Sequence, residues 1–537
     1  MNHIHSSTKE YDAIIVGAGF SGLYQLICLR DQLGLNCLVL ETGDDVGGTW
    51  YWNRYPGARC DTESHAYSYY FSDELLKEWT WSERYPGHEE IRKYMNFVAS
   101  KFDLKKDILF KQKVISAKFI EDSNNWNVRT DNNNFKCKFL VTAVGCLSNT
   151  NIPKIKGLED FEGSYYHTGN WPKEGVSFVN KTVGQIGTGS TGIQAVPVIA
   201  AEAKHLTVFQ RTANYSIPAR NKPLTEEFKK QVKENFQYYK DLIKRTPNAH
   251  PFEISDRLVS DVNSEEMNNI YEKAWEKGGL QFRAVFSDLV TNLEANNTAS
   301  NFIKNKINKT VLNKKFASIL SDIDHPYAGK RPPIDSNYFE TYNRDNVNLI
   351  DLRSDPIKCI NKNGIETEKN HIDLDIIVFA TGYDAMTGPL LNMNIFGKKN
   401  LKLKNVWKEG PKTFLGLQIP GFPNLFTITG PGSPSVLTNM PMAIEQHVEW
   451  IRDCISFMIK KEYTTIEASS NLAKKWGEEV NRVANKTLLP SVKHSWYLGA
   501  NIPGKPRVFM PYAGGLPRYS KICDDVKKNN FEDFILA

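Results

Sequence analysis

The sequence predicts an α/β fold of two Rossmann-like dinucleotide-binding domains, with a helical insertion in the second. Two observations carry this expectation. Runs of the form G-x-G-x-x-G stand at Gly17–Gly22 and at Gly187–Gly192, each after a strand-like run and before a helical one. Further on, the apolar run Ile376-Ile-Val-Phe379 ends in the glycine turn Ala380-Thr-Gly382, where the chain is expected to cross back to the first domain. At 537 residues the chain exceeds one ordinary core, so two or three domains are expected.

The first site opens with Asp12-Ala-Ile-Ile-Val16, short and apolar enough for a buried strand. Gly17 then permits a tight turn, Gly19 lets backbone approach a pyrophosphate, and Gly22 allows close helix–strand packing. The helix to about Leu33 offers free N–H groups at its start. The next strand, Leu38-Val-Leu40, delivers Glu41, a carboxylate placed to accept from ribose hydroxyls.

The second site repeats the plan. Thr182-Val-Gly-Gln-Ile186 is a less apolar strand, and it leads into Gly187, Thr188, Gly189, Ser190, Thr191 and Gly192. The strand His205–Phe209 ends not in a carboxylate but in Gln210, Arg211 and Thr212. A guanidinium there favours the 2′-phosphate of NADP over the bare ribose of NAD, so NADPH is the expected electron donor. Two dinucleotide sites in one chain imply electron traffic between two cofactors.

Composition excludes several classes. A formal charge of +6, from 67 basic against 61 acidic residues, gives little support to a nucleic-acid partner. The eight cysteines are scattered without a C-x-x-C pair, so neither a zinc cluster nor a redox dithiol is expected, and reduced thiols in the cytoplasm are. The N-terminus carries no signal-peptide pattern, and no apolar run approaches the roughly 20 residues of a membrane helix.

Between the two glycine runs lies Phe161-Glu-Gly163-Ser-Tyr-Tyr-His167-Thr-Gly-Asn-Trp171-Pro172, which fits F-x-G-x-x-x-H-x-x-x-W-P. Gly47-Gly48-Thr49-Trp50 leads through Tyr55-Pro56-Gly57 to Asp61 in the pattern G-G-x-W-x-x-x-x-Y-P-G-x-x-x-D. Both resemble signatures of the type I Baeyer–Villiger monooxygenases. The resemblance continues through His325–Pro333, Ala380–Asp384, Gly430–Met440 and His494–Lys505, and is weakest in the helical stretch between the domains.

This resemblance implies FAD at the first site and NADP at the second. It implies an FAD-binding set of Gly17, Gly19, Phe20, Gly22, Glu41, Thr49, Trp50, Asp61, Tyr67, Val114 and Met440. For NADP it adds Lys330, Arg331 and Trp496 to the glycine run, Arg211 and Thr212. Arg331 corresponds to the family's catalytic arginine, with Asp61 as its orienting carboxylate, while His167 is implied in domain movement rather than proton transfer. The activity implied is conversion of a ketone to an ester or lactone with O2 through a C4a-peroxyflavin. The alternative is an N- or S-oxygenating flavin monooxygenase. The expected protein is a monomer or weak homo-oligomer without membrane insertion.

The implied division is an FAD domain of 1–150 and 385–537, interrupted by an NADP domain of 151–221 and 326–384 that carries the insertion 222–325. In the insertion, Phe228, Val232, Phe236, Tyr239 and Leu242 recur at helical spacing, which predicts one helix with a single buried stripe packed on the NADP domain. Ser264 is the expected N-cap of the next helix.

Overall fold

In the computed structural model, which describes residues 9–537, Lys9–Val16 is a central strand lying parallel to both Cys37–Leu40 and Asn134–Thr142. All four residues of Cys37–Leu40 are buried, as unbroken apolar runs are when helices cover both faces of a parallel sheet. Val114–Ile120 and Asn125–Thr130 extend this sheet in antiparallel pairing. Two late strands join it. Leu425–Thr427 pairs with Leu140–Thr142, and Ile395–Phe396 pairs with Ala117–Lys118. The resulting eight-stranded sheet therefore draws on both ends of the chain.

The second sheet has five parallel strands in the order Val347–Asp351, His205–Gln210, Thr182–Ile186, Ile376–Phe379, Ser164–His167. The polar look of its third strand has a structural cause. Gln185 is fully buried and its Nε2 donates to the carbonyls of Gly187 (3.1 Å) and Gly192 (3.2 Å), tying down both ends of the glycine turn. Gly184 has no room for a side chain, since a Cβ would lie 2.6 Å from Leu374 Cδ1.

The stretch between the domains departs from expectation in three ways. The helix from Glu226 breaks at Asn235 into Glu226–Glu234 and Phe236–Arg245, and only Leu242 and Ile243 of the two are fully buried. These helices pack towards the first sheet's core, with His65 edge-on to Phe228 and Tyr239, whereas Ser264–Lys277 and Leu293–Thr310 join the second core. The cap of the third helix is Asn263, whose side chain accepts from the Glu266 N–H at 2.9 Å, and Ser264 is its first helical residue. Asn and Ser are equally good caps, so the preceding residue could compete for the position.

Candidate active site

The two glycine turns are built alike. Gly17 and Gly187 have φ of 108° and 109°, and a Cβ at either would strike the carbonyl of the neighbouring strand's end, Ala143 at 2.6 Å and Ala380 at 2.4 Å. Gly22 and Gly192 press on the same turns, where a Cβ would lie 1.8 Å from Gly17 O and 2.3 Å from Gly187 O. Only glycine satisfies both demands. Above the second turn, Gly189 and Ser190 are exposed, and a Cβ on Gly189 meets nothing within 4 Å. That leaves bare backbone at a helix start, open to a pyrophosphate.

A cavity of about 810 Å³ runs from the first turn towards the second, large enough for an extended cofactor and a small substrate. Gly17, Gly19, Phe20, Glu41, Thr49 and Trp50 form one part of its wall, and Asp61, Tyr67, Val114, Arg331, Met440 and Trp496 another. The second glycine run contributes only Ser190. Arg211, Thr212 and Lys330 lie beyond this wall, as does Gly22 in its packing role. Part of this wall is aromatic: Trp50 Nε1 donates to Tyr67 Oη at 3.0 Å, and Tyr67 stands edge-on to Phe20 at 5.4 Å between centroids. Gly19 and Gly48 face one another so closely that a Cβ on Gly48 would sit 2.8 Å from Gly19 Cα. Glu41 is buried, and its two oxygens accept from the N–H groups of Ala18 (2.7 Å) and Gly43 (2.6 Å). Burial nevertheless raises its pKa above the ordinary value.

The segment after Trp50 also joins the two halves. Tyr55 Oη donates to Gln194 Oε1 at 2.7 Å, Gln194 Nε2 donates to the Arg59 carbonyl at 3.1 Å, and Gly57 lies against the Gln194 carbonyl. Gln194 is on the helix that follows the second glycine turn. At the end of this segment Asp61 receives a bidentate contact from Arg331, with Nε at 2.5 Å and Nη2 at 2.8 Å. Arg331 Nη1 donates to the carbonyls of Val436 (2.8 Å) and Thr438 (3.3 Å). Burial pulls the Arg331 pKa down, but the Asp61 carboxylate outweighs it and leaves the guanidinium firmly charged.

The second site's cations have a different setting. Arg211 is exposed just past its strand, and Lys330 is half-buried. Burial lowers Lys330, and the nearby positive charge of Arg211 lowers it further, against the pull of Asp324. Two neighbouring cations that repel each other fit a doubly charged phosphate. Thr188 has its hydroxyl committed to the Thr212 carbonyl at 3.0 Å, so it braces the turn and leaves the backbone for a ligand.

The run from Phe161 to Pro172 forms the edge strand of the second sheet, with His167 opposite Phe379 just before the return crossing. His167 is buried, accepts from the Gly169 N–H through Nδ1 at 3.0 Å, and stands edge-on to Tyr383. Phe161 and Trp171 are buried, and Gly163 lies against the Asp375 carbonyl. His167 is not in the cavity wall, although Gly169 and Asn170 are. Burial pushes its pKa down to about 4, so it is neutral. Tyr383 in turn donates to Asn53 Oδ1, and Asn501 Nδ2 donates to the Tyr383 carbonyl at 2.8 Å. Lys505 Nζ reaches Asp384 Oδ1 at 2.5 Å, which fixes the segment carrying Trp496 against the crossing. Sequence reasoning missed Gln185, Asn53 and Gln194. Only Gln185 gave a signal, as a polar residue inside a strand.

The flavin-binding monooxygenase-like family matches residues 11–233. Cyclohexanone 1,2-monooxygenase of Acinetobacter sp. is 43% identical over 98% of this chain and 97% of its own length. A Baeyer–Villiger monooxygenase of Pseudooceanicola batsensis is 42% identical over 98% and 96%. A phenazine N-monooxygenase of Lysobacter antibioticus is 39% identical over 99% and 98%. A crystal structure of OTEMO in complex with FAD and NADP superposes with a TM-score of 0.95 at 38% identity, covering 99% of this chain and all of that one. The residues fit both cofactors, with paired glycine cradles, an acid at one ribose position and unpaired cations at the other. The chain belongs to the Baeyer–Villiger monooxygenases, flavoenzymes that use FAD, NADPH and O2 to convert ketones to esters or lactones.

Proposed function

We propose that Arg331, held by Asp61, is the residue that governs oxygen insertion in this enzyme. The observation that supports it is the bidentate Asp61–Arg331 contact in the wall of the large cavity. FAD and NADPH, when bound, would supply the two electrons with which O2 is activated for this insertion. Arg331 places a fixed guanidinium where negative charge develops as a ketone carbonyl is attacked, in a site whose polar groups need no reorientation. Asp61 fixes the plane of that guanidinium, and Val436 and Thr438 anchor its far nitrogen. Glu41 holds the ribose of FAD, and Phe20, Thr49, Trp50, Tyr67, Val114 and Met440 border its ring system and linker. Arg211, Thr212 and Lys330 hold the 2′-phosphate of NADP, while Trp496 closes over that cofactor. His167 acts in the hinge between the halves and moves no proton. Excluding water matters, because an oxygen-activating flavin exposed to solvent releases hydrogen peroxide.

The partner is a small ketone together with O2. The division proposed is 1–150 and 385–537 around 151–221 and 326–384, with 222–325 inserted. It is supported by the pairing of Leu425–Thr427 with Leu140–Thr142. We place the enzyme in the cytoplasm as a monomer or weak homo-oligomer. Eight free thiols suit a reducing compartment, and no helix among the described residues is long and apolar enough to cross a membrane. N-oxygenation is a second reading, favoured by the phenazine N-monooxygenase among the relatives. The deciding experiment presents the enzyme with ketones and with aromatic N-heterocycles, and follows NADPH consumption and products. Ester or lactone formation from ketones upholds the first reading. N-oxide formation with ketones inert overturns it.

A further inference from the structure

Gln194 stands one turn past Ser190 on the helix Ser190–Glu202, which opens out of the second glycine turn. Its carboxamide reaches across to the segment that ends in Asp61. Oε1 accepts from Tyr55 Oη at 2.7 Å and from the Arg59 N–H at 3.4 Å, and Nε2 donates to the Arg59 carbonyl at 3.1 Å. The backbones meet closely enough to demand a glycine between these contacts. Gly57 has a φ of 79°, and a Cβ on it would lie 2.5 Å from the Gln194 carbonyl. Gln194, Tyr55, Arg59, Asp61 and Arg331 all belong to the wall of the large cavity.

The segment is paired on both edges. On one, the Ala58 carbonyl accepts from the His88 N–H and the Cys60 N–H donates to the Pro86 carbonyl, each at 3.0 Å. The backbone groups of Arg59 face the other way, as alternate residues of an extended chain do, and meet the Gln194 carboxamide. The first edge is held by the start of the helix His88–Lys101, which packs in the core of the first sheet, and the second by a helix of the second sheet. Two residues beyond Arg59, the Asp61 carboxylate fixes the guanidinium plane of Arg331. Without the carboxamide, the Arg59 N–H and carbonyl lose their partners and one edge of this segment comes free.

We propose that Gln194 is a positioning residue that carries the seating of the NADP cradle to the Asp61–Arg331 pair, so that the guanidinium is aligned for oxygen insertion when NADP is held. This rests on the reading of Arg331 given above. Gln194 acts through Arg59 and Asp61: its oxygen is taken twice by the segment and its nitrogen is engaged by the Arg59 carbonyl. Small displacements of a catalytic group are costly, and activated oxygen that meets no aligned cation leaves as hydrogen peroxide. The signature is therefore a change in coupling, the peroxide formed per ester, with NADPH binding retained.

The test uses the full-length holoenzyme with cyclohexanone and 2-octanone as probes, and measures ester, hydrogen peroxide, the KM for NADPH and the Tm. Gln194→Met fills the same space without the hydrogen bonds. It is expected to raise the peroxide-to-ester ratio about fivefold while the KM for NADPH stays within about twofold of the parent's. Gln194→Glu keeps the acceptor for Tyr55 but loses the donor to Arg59, and it should raise the ratio as well. It carries the comparison if Gln194→Met does not fold. In an Asp61→Asn background, where the pair is already disturbed, either Gln194 substitution should change the ratio by less than about twofold. An unchanged ratio in the single variants overturns the proposal. A raised KM for NADPH with coupling intact also overturns it, because Gln194 is then an NADP contact. So does a rise in the Asp61→Asn background as large as in the parent, which marks general loosening of the two halves. Failures of the two claims are told apart by the parent and by Arg331→Ala. Where the parent forms ester and Arg331→Ala does not, an unchanged ratio refutes only the role of Gln194. A parent that oxidises no ketone, or an Arg331→Ala variant with undiminished ester, refutes the reading of Arg331.

Discussion

Arg331 and Asp61, 270 positions apart in sequence, meet guanidinium to carboxylate through two nitrogens and two oxygens, at 2.5 and 2.8 Å. A lysine cannot reproduce this contact, because its single ammonium lacks the planar fork. The pair fixes a cation's direction as well as its presence, and the first prediction follows from that distinction.

Arg331→Ala is expected to retain FAD and to consume NADPH, while ester formation falls by on the order of 10²- to 10³-fold, the usual loss on removing one preorganised charge donor. Arg331→Lys restores less than a tenth of that loss. Asp61→Asn keeps an acceptor but removes the counter-charge, and it should convert part of the NADPH flux into hydrogen peroxide. Product chromatography with a peroxide assay checks all three. Undiminished ester yield from Arg331→Ala removes the mechanism's central claim.

NADPH should exceed NADH in kcat/KM by well over tenfold, about 1.4 kcal/mol or more of phosphate pairing. Arg211→Ala and Lys330→Ala should each erode this through KM for NADPH alone. Because the two cations act on one another, the double variant should lose less than the sum of the single losses. Equal efficiency with the two donors in the parent enzyme would show the site to be misread.

The second glycine turn separates folding from binding. Gly192→Ala forces a Cβ to 2.3 Å from the Gly187 carbonyl, so the turn must open. This variant is expected to melt several degrees lower and to bind NADPH poorly. Gly189→Ala places its Cβ in open space and should melt like the parent, while its KM for NADPH rises because the methyl occupies pyrophosphate ground. Matching melting points for the two variants would contradict the packing argument.

The parts legible in the sequence were those carried by local rules. Gly17 and Gly187 announced two turns because only glycine tolerates both a positive φ and carbonyl contact there, and Gly22 and Gly192 because a Cβ would strike the carbonyls of those same turns. Arg211 announced itself by standing where a carboxylate is usual. Contacts between distant segments were not legible. Nothing around Gln194 shows that it bridges Tyr55 to Arg59, and nothing around Asn248 shows that it joins Arg283 to Leu437. The stripe from Phe228 to Leu242 misled because its spacing was helical but its burial was not, and Asn235 broke the helix between the two halves. Periodicity reports which face is apolar, and tertiary packing decides what covers it.

The last prediction concerns stability and pH. Glu445 is buried on the helix Met440–Lys460, and one of its oxygens accepts from the N–H groups of Tyr70 and Phe71. Burial pushes its pKa up to about 8, and neighbouring Glu449 adds to the rise. The folded protein thus keeps Glu445 protonated at pH values where the unfolded chain, with an ordinary value of 4.5, has released the proton. Its contribution to stability is fully present below 4.5 and is lost as pH rises towards 8. His447 and His167 act in the opposite window. Burial pushes them down to about 3 and about 4, so their contribution is present above 6.5 and is lost as pH falls. Glu445→Gln keeps the acceptor for Tyr70 and Phe71 but has no proton to lose. Its Tm relative to the parent should therefore climb steadily from pH 5 to pH 8, while both proteins share the acid-side decline set by the histidines. Parallel Tm curves across that range would show that Glu445 is already ionised in the fold, held by its two N–H donors against the cost of burial.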